Sequence, residues 1–193
     1  NPAQKIDPAQ IIMFDHEPLT LTGPLYIVLH KPQGYICSTV DESYPCVLNL
    51  IDLEKKDSLH PAGRLDVDTT GLVLLTDDGQ WSHRVTSPKK SCEKMYLVEL
   101  AEPLCDDAAA RCEEGIMLHS ETKPTRPAKL EIISPTQVKL TLQEGKYHQV
   151  KRMFAALDNK VISLHRATIG SIDLTGLAEG EWRYLTAAEA AQF

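Results

Sequence analysis

Residues 136–159, "TQVKLTLQEGKYHQVKRMFAALDN", change their hydrophobic period half-way along. In the first half Val138, Leu140 and Leu142 alternate with Lys139, Thr141 and Gln143. That period of two turns one face of a strand to a core and the other to water. Beyond Gly145, Val150, Met153, Phe154 and Leu157 fall at i, i+3, i+4 and i+7, an apolar helical stripe that leaves His148, Lys151 and Arg152 on the opposite side. Working outward, LYIVLH (25–30) reads as a strand, KPQG (31–34) as a turn, YICSTV (35–40) as a second strand and GLVLLTD (71–77) as a third. GQWSHRVTS (79–87) predicts a short helix stopped before Pro88, and KMYLVEL (94–100) another strand. PLCDDAAARCEEG (103–115) opens on proline and closes on glycine, as a helix does. KVISLHRATIGSIDL (160–174) is strand-like and TAAEAAQF (186–193) a weak terminal helix. Strands outnumber helices without alternating regularly with them, which predicts an α+β domain with a mixed, mainly antiparallel sheet and flanking helices.

The chain has 193 residues, 42% hydrophobic and 24% charged, the composition of a soluble domain large enough to bury a core. No apolar run approaches the length of a membrane span, and the start NPAQKIDPAQ is no signal peptide, so a cytoplasmic monomer without membrane contact is expected. Five cysteines with no C-x-x-C pair suggest neither a disulfide framework nor a zinc site. The net charge of −7 is unevenly spread. Arg84, Lys89, Lys90 and Lys94 lie together against Glu93, and Lys139, Lys146, Lys151, Arg152, Lys160 and Arg166 against Glu144 and Asp158. Two such basic segments can form one positive cleft for a polyanion, or simply a solvated surface.

Ahead of the third strand stands HPAGRLDVDTTGLVLLTDDGQ (60–80). Its DVDTT (66–70) matches the D-x-D-x-T signature of haloacid-dehalogenase-type phosphatases, in which the first aspartate attacks phosphorus beside magnesium. That motif should follow a continuous buried strand, whereas LHPAGRL precedes it here, and no glycine in the chain is followed by the aspartate such enzymes use for the metal. If GRLD is extended, Arg64 and Asp66 share one side and Leu65 anchors the other. The plainer alternative makes Asp66 and Asp68 turn formers with Arg64 as their ionic partner.

Three blocks taken together, AGRLDVD, EKMYLVEL and EGKYHQVKRM, resemble in order and spacing the RsuA-type pseudouridine synthases, across nearly all of residues 24–193. The resemblance implies a pseudouridine synthase fold with a central catalytic cleft. It also implies conversion of a uridine in RNA to pseudouridine with neither cofactor nor metal. Asp66 would be the catalytic carboxylate and Arg64 the residue taking the place vacated by the flipped base. Tyr96 would pack on the uracil, Lys151 would be the cation beside the aspartate, and Leu164 would line the pocket. Lys89, Lys90, Lys94, Lys146, His148, Gln149 and Arg152 would meet the RNA. The likeness is strongest to members acting on small-subunit ribosomal RNA, met in an assembling particle, with large-subunit RNA and a non-catalytic RNA-binding module as alternatives. Residues 1–23 would then be the trailing end of an S4-like module preceding a catalytic domain at 24–193.

Overall fold

The computed structural model describes residues 12–14, 17–19, 23–87 and 92–193. Strands β1 (Ile12–Phe14) and β2 (Glu17–Leu19) form a small antiparallel pair of their own. The main sheet contains β3 (Tyr26–Lys31), β4 (His60–Pro61), β5 (Thr70–Thr76), β6 (Lys94–Leu100), β7 (Lys129–Ser134), β8 (Gln137–Leu142), β9 (Val161–Ile169) and β10 (Trp182–Tyr184). Their order is β10-β3-β5-β9-β6-β8-β7, with β4 against β5. Every pairing is antiparallel except β5 with β9, as an α+β fold with a mixed sheet requires. Helices α1 (Gly79–Thr86), α2 (Ala108–Glu114), α3 (Gln149–Ala155) and α4 (Ala187–Ala191) flank it.

Strands β3 and β5 are buried on both faces. Ile27, Leu29, Val73 and Leu75 enter the larger core, while Val28, Leu72 and Leu74 enter a second one with Trp81 and Val85 of α1. This is why both read as unbroken apolar runs instead of alternating ones. On β8 the alternation holds, and the α3 stripe of Val150, Met153, Phe154 and Leu157 packs into the same larger core. Where β5 meets β9, Gly71 has φ +110°, and a side chain there would meet the Arg166 carbonyl oxygen at 2.3 Å. Only glycine admits that approach.

Two expectations need correction. YICSTV forms no strand: only Ile36 pairs, in an isolated bridge with Cys46, and the following residues bend away. Cys37 instead turns its sulfur to accept the Leu65 N–H at 3.3 Å, so a local β propensity yields to a tertiary contact. In PLCDDAAARCEEG the helix begins only at Ala108. Strands β7 and β10 carried no sequence-level expectation.

The C-terminal helix is docked by Trp81 Nε1, which donates to the Ala190 carbonyl at 2.8 Å, and by Arg84 Nε, which donates to the Phe193 carbonyl at 2.8 Å. A capping box of Thr186 and Glu189 opens that helix. The Arg183 guanidinium, 2.8 Å from Glu189, pulls its carboxyl down to about 2 against a partial burial that works the other way. Because the folded value lies below the unfolded one, this contribution is complete above the unfolded value and is lost as pH falls through the folded one. The stability difference between wild type and Glu189→Gln should therefore be constant near neutrality and close between about pH 4.5 and 2. Urea unfolding across that range checks it, and a gap persisting at the acid end would refute it.

Candidate active site

Asp66 sits in the loop between β4 and β5, and the loop is clamped from beneath. Lys31, the last residue of β3, is wholly buried. Its Nζ donates to the carbonyls of Thr69 (2.7 Å), Pro32 (3.0 Å) and Val67 (3.4 Å). Burial pushes this lysine below its ordinary value, with Cys37, Asp68 and Asp66 opposing the shift. The Gly34 N–H also donates to the Val67 carbonyl at 2.8 Å, and Thr69 N–H closes a turn on the Asp66 carbonyl at 3.1 Å. Leu65 is buried and Arg64 exposed, the two-sided arrangement expected of an extended GRLD. Lys31→Met takes a donor from three carbonyls, of which that of Val67 keeps another, the Gly34 N–H. It should cost on the order of 2 kcal/mol of stability and lower turnover through a loosened Asp66. Unfolding and single-turnover rates measured together check this, and unchanged values of both would contradict it.

The facing wall comes from the start of α3. Lys151 Nζ lies 3.0 Å from Asp66 Oδ2 and 2.7 Å from Asp68 Oδ1, bridging the two carboxylates. His148 Nε2 stands 3.2 Å from Asp66 Oδ1. Its backbone is left-handed at φ 46°, a costly conformation for a non-glycine residue and one that gathers at functional sites. Partial burial raises Asp68, but the hydrogen bond and charge of Lys151 outweigh it and hold the carboxyl below its usual value. Burial likewise opposes the charge on Lys151, yet both aspartates together raise it.

Between these walls lies a cavity of about 150 Å³. Arg64, Asp66, Tyr96, Lys151 and Leu164 all line it, so the structure gathers the expected catalytic and substrate-binding residues in one place. Tyr96 of β6 and Leu164 of β9 are buried on neighbouring strands. Lys94, Lys146, His148 and Gln149 also reach the cavity. The lysines and Gln149 already have partners: Lys94 Nζ donates to the Cys92 carbonyl at 3.0 Å, Lys146 pairs with Glu121 at 2.8 Å, and buried Gln149 donates to Glu144 at 2.7 Å. Arg152 lies outside the cavity, 3.1 Å from Glu121 and 2.6 Å from the His119 carbonyl. Lys89 and Lys90 lie outside the described residues.

Sequence reasoning missed Lys31 and the second anchor of Lys151 on Asp68. It also counted Arg166 only as part of a basic segment. That residue is buried in the cavity wall, where its Nε donates to the Leu72 carbonyl at 2.8 Å. The phosphatase motif fails on placement, since Asp66 precedes buried β5 and its carboxylate already faces Lys151 and His148.

The sequence profile of the RNA pseudouridylate synthase family matches residues 25–156, a span that includes Asp66, Tyr96 and Lys151. The chain belongs to that family. It is 55% identical over 193 residues to ribosomal small subunit pseudouridine synthase A of Salmonella typhimurium, covering 99% of this chain and 84% of the relative. To the Haemophilus influenzae protein of the same name it is 57% identical over 180 residues, covering 92% and 78%. A crystal structure of a pseudouridylate synthase superposes with a TM-score of 0.84 at 53% identity, over 99% of this chain and 83% of that one. This RNA pseudouridine synthase thus has the α+β architecture of its family.

Proposed function

We propose that the enzyme isomerises a uridine of small-subunit ribosomal RNA, in an assembling particle, with Asp66 as its catalytic carboxylate and without a metal. The observation that carries this reading is the ionic contact of Asp66 with Lys151 at 3.0 Å, in a cavity that also holds Tyr96. The reaction breaks the bond from sugar C1′ to base N1 and forms one from C1′ to C5; the C5 hydrogen leaves as a proton and N1 takes one up, so the net change is an isomerisation. A carboxylate that attacks the sugar or removes a proton from it acts as the anion, and the Lys151 ammonium is its ionic partner. The target base has to leave its stack, at a cost of a few kcal/mol. Stacking on Tyr96 would offset about 1 to 3 kcal/mol of that, while Leu142, Val150 and Leu164 would keep water from the detached base. Arg64, exposed and lining the cavity, would occupy the gap the base leaves behind.

The substrate assignment is supported by the relatives named as small-subunit enzymes, and a ribosomal RNA substrate places the work in the cytoplasm. Incubation with small-subunit and large-subunit ribosomal RNA, free and as protein-bound particles, followed by chemical mapping of pseudouridine, tests it. Modification of the small-subunit RNA at a rate indifferent to EDTA is expected. A chelator-sensitive rate, or preference for large-subunit RNA, would refute the corresponding part.

A further inference from the structure

Beside the catalytic cavity runs a wider groove of about 830 Å³, which shares Arg64, Asp66, Lys146, His148 and Lys151 with it. The Tyr147 ring stands in this groove, 69% exposed. An exposed apolar side chain alone says little, but this ring is fixed. It lies flat on the imidazole of His148, with centroids 3.8 Å apart and planes at 22°, and that imidazole is in turn held against Asp66. The Tyr147 carbonyl accepts from Arg152 Nη1 at 3.1 Å, pinning the backbone as well. Tyr44, 48% exposed, also lines the groove. An aromatic face at the edge of a groove that Arg64 also lines combines the two features that bind unpaired RNA, a stacking surface and a cation for phosphate, while Lys146 and Lys151 are engaged with Glu121 and with the two aspartates.

We propose that the exposed face of Tyr147, backed by His148, is the stacking platform for the nucleotide adjoining the target uridine. The platform rests on the RNA-modifying reading above and extends it by one nucleotide. Stacking of this kind tolerates any base, because every base presents a π face.

The test is a binding cycle with short RNA strands carrying one uridine between adenosines, either intact or abasic immediately 5′ or 3′ of the uridine. Fluorescence anisotropy reads the affinity. For the intact strand, Tyr147→Ala should bind about tenfold more weakly than wild type and Tyr147→Phe nearly as well as wild type. With the strand abasic on the contacting side, wild type and Tyr147→Ala should bind alike, which isolates the pair. Wild-type protein that does not distinguish intact from abasic strands, or a Tyr147→Ala loss equal for all three strands, would overturn the proposal. Because the cycle reads equilibrium binding alone, its outcome is separable from pseudouridine formation. Coupling in the cycle without product from small-subunit ribosomal RNA would leave the platform standing and remove the catalytic reading, and product from that RNA without coupling would do the reverse.

Discussion

Asp66→Asn is expected to abolish turnover, by a factor on the order of 10⁴ or more, while RNA affinity changes little. Asparagine keeps the shape and a hydrogen-bonding oxygen but loses the charge that attack or proton removal needs. The fold should survive, because Lys151 retains Asp68 at 2.7 Å and the loop clamp of Lys31 reaches only main-chain carbonyls. Asp68→Asn removes the other anchor. It should cost only about tenfold, since Lys151 remains beside Asp66 and Asp68 is more than half exposed. Single-turnover rates at saturating RNA, with affinities measured in parallel, separate the two. Equal losses in both variants would mean that the aspartates act as one structural unit and that neither is the catalyst.

Lys151→Met should be the next most damaging, on the order of 100-fold in single-turnover rate. It leaves two carboxylates facing a cleft, with the His148 imidazole 3.2 Å from Asp66. Asp68, which Lys151 holds below its usual value, should move upward once the compensating ammonium is gone. In the wild type the two aspartates raise Lys151 above its ordinary value despite burial. It therefore stays charged through the neutral range, and an alkaline limb there would have another source. Lys151→Arg should restore much of the rate, since a guanidinium fork can bridge both carboxylates. An unchanged single-turnover rate in the methionine variant would show that the contact has no catalytic consequence.

What could be read ahead of the structure depended on how far each signal was local. The alternation of Val138, Leu140 and Leu142 and the stripe from Val150 to Leu157 were legible because burial on one face imposes a period. YICSTV misled because β-branched and aromatic residues fit many half-buried surfaces, and Cys37 is held by Leu65, a partner 28 positions away. Strand β7 escaped because Glu131, Ile132 and Ile133 are all exposed at a sheet edge, which leaves no alternation to find. In the site, Asp66, Arg64 and Lys151 came from the resemblance of their blocks to a known family, since each residue alone reads as a turn former or a solvated charge. Lys31 did not, because a lysine closing a strand ordinarily points to water, and only the return of the 66–69 loop over it makes it a buried clamp.

The most direct measurement follows the C5 hydrogen, which must leave when carbon replaces nitrogen on the sugar. Small-subunit ribosomal RNA labelled with tritium at uridine C5 should release label to water with the wild-type enzyme. With Asp66→Asn, bound to the same RNA at matched occupancy, it should release none. Release by the asparagine variant at the wild-type rate would contradict the assignment of Asp66 as the catalytic carboxylate.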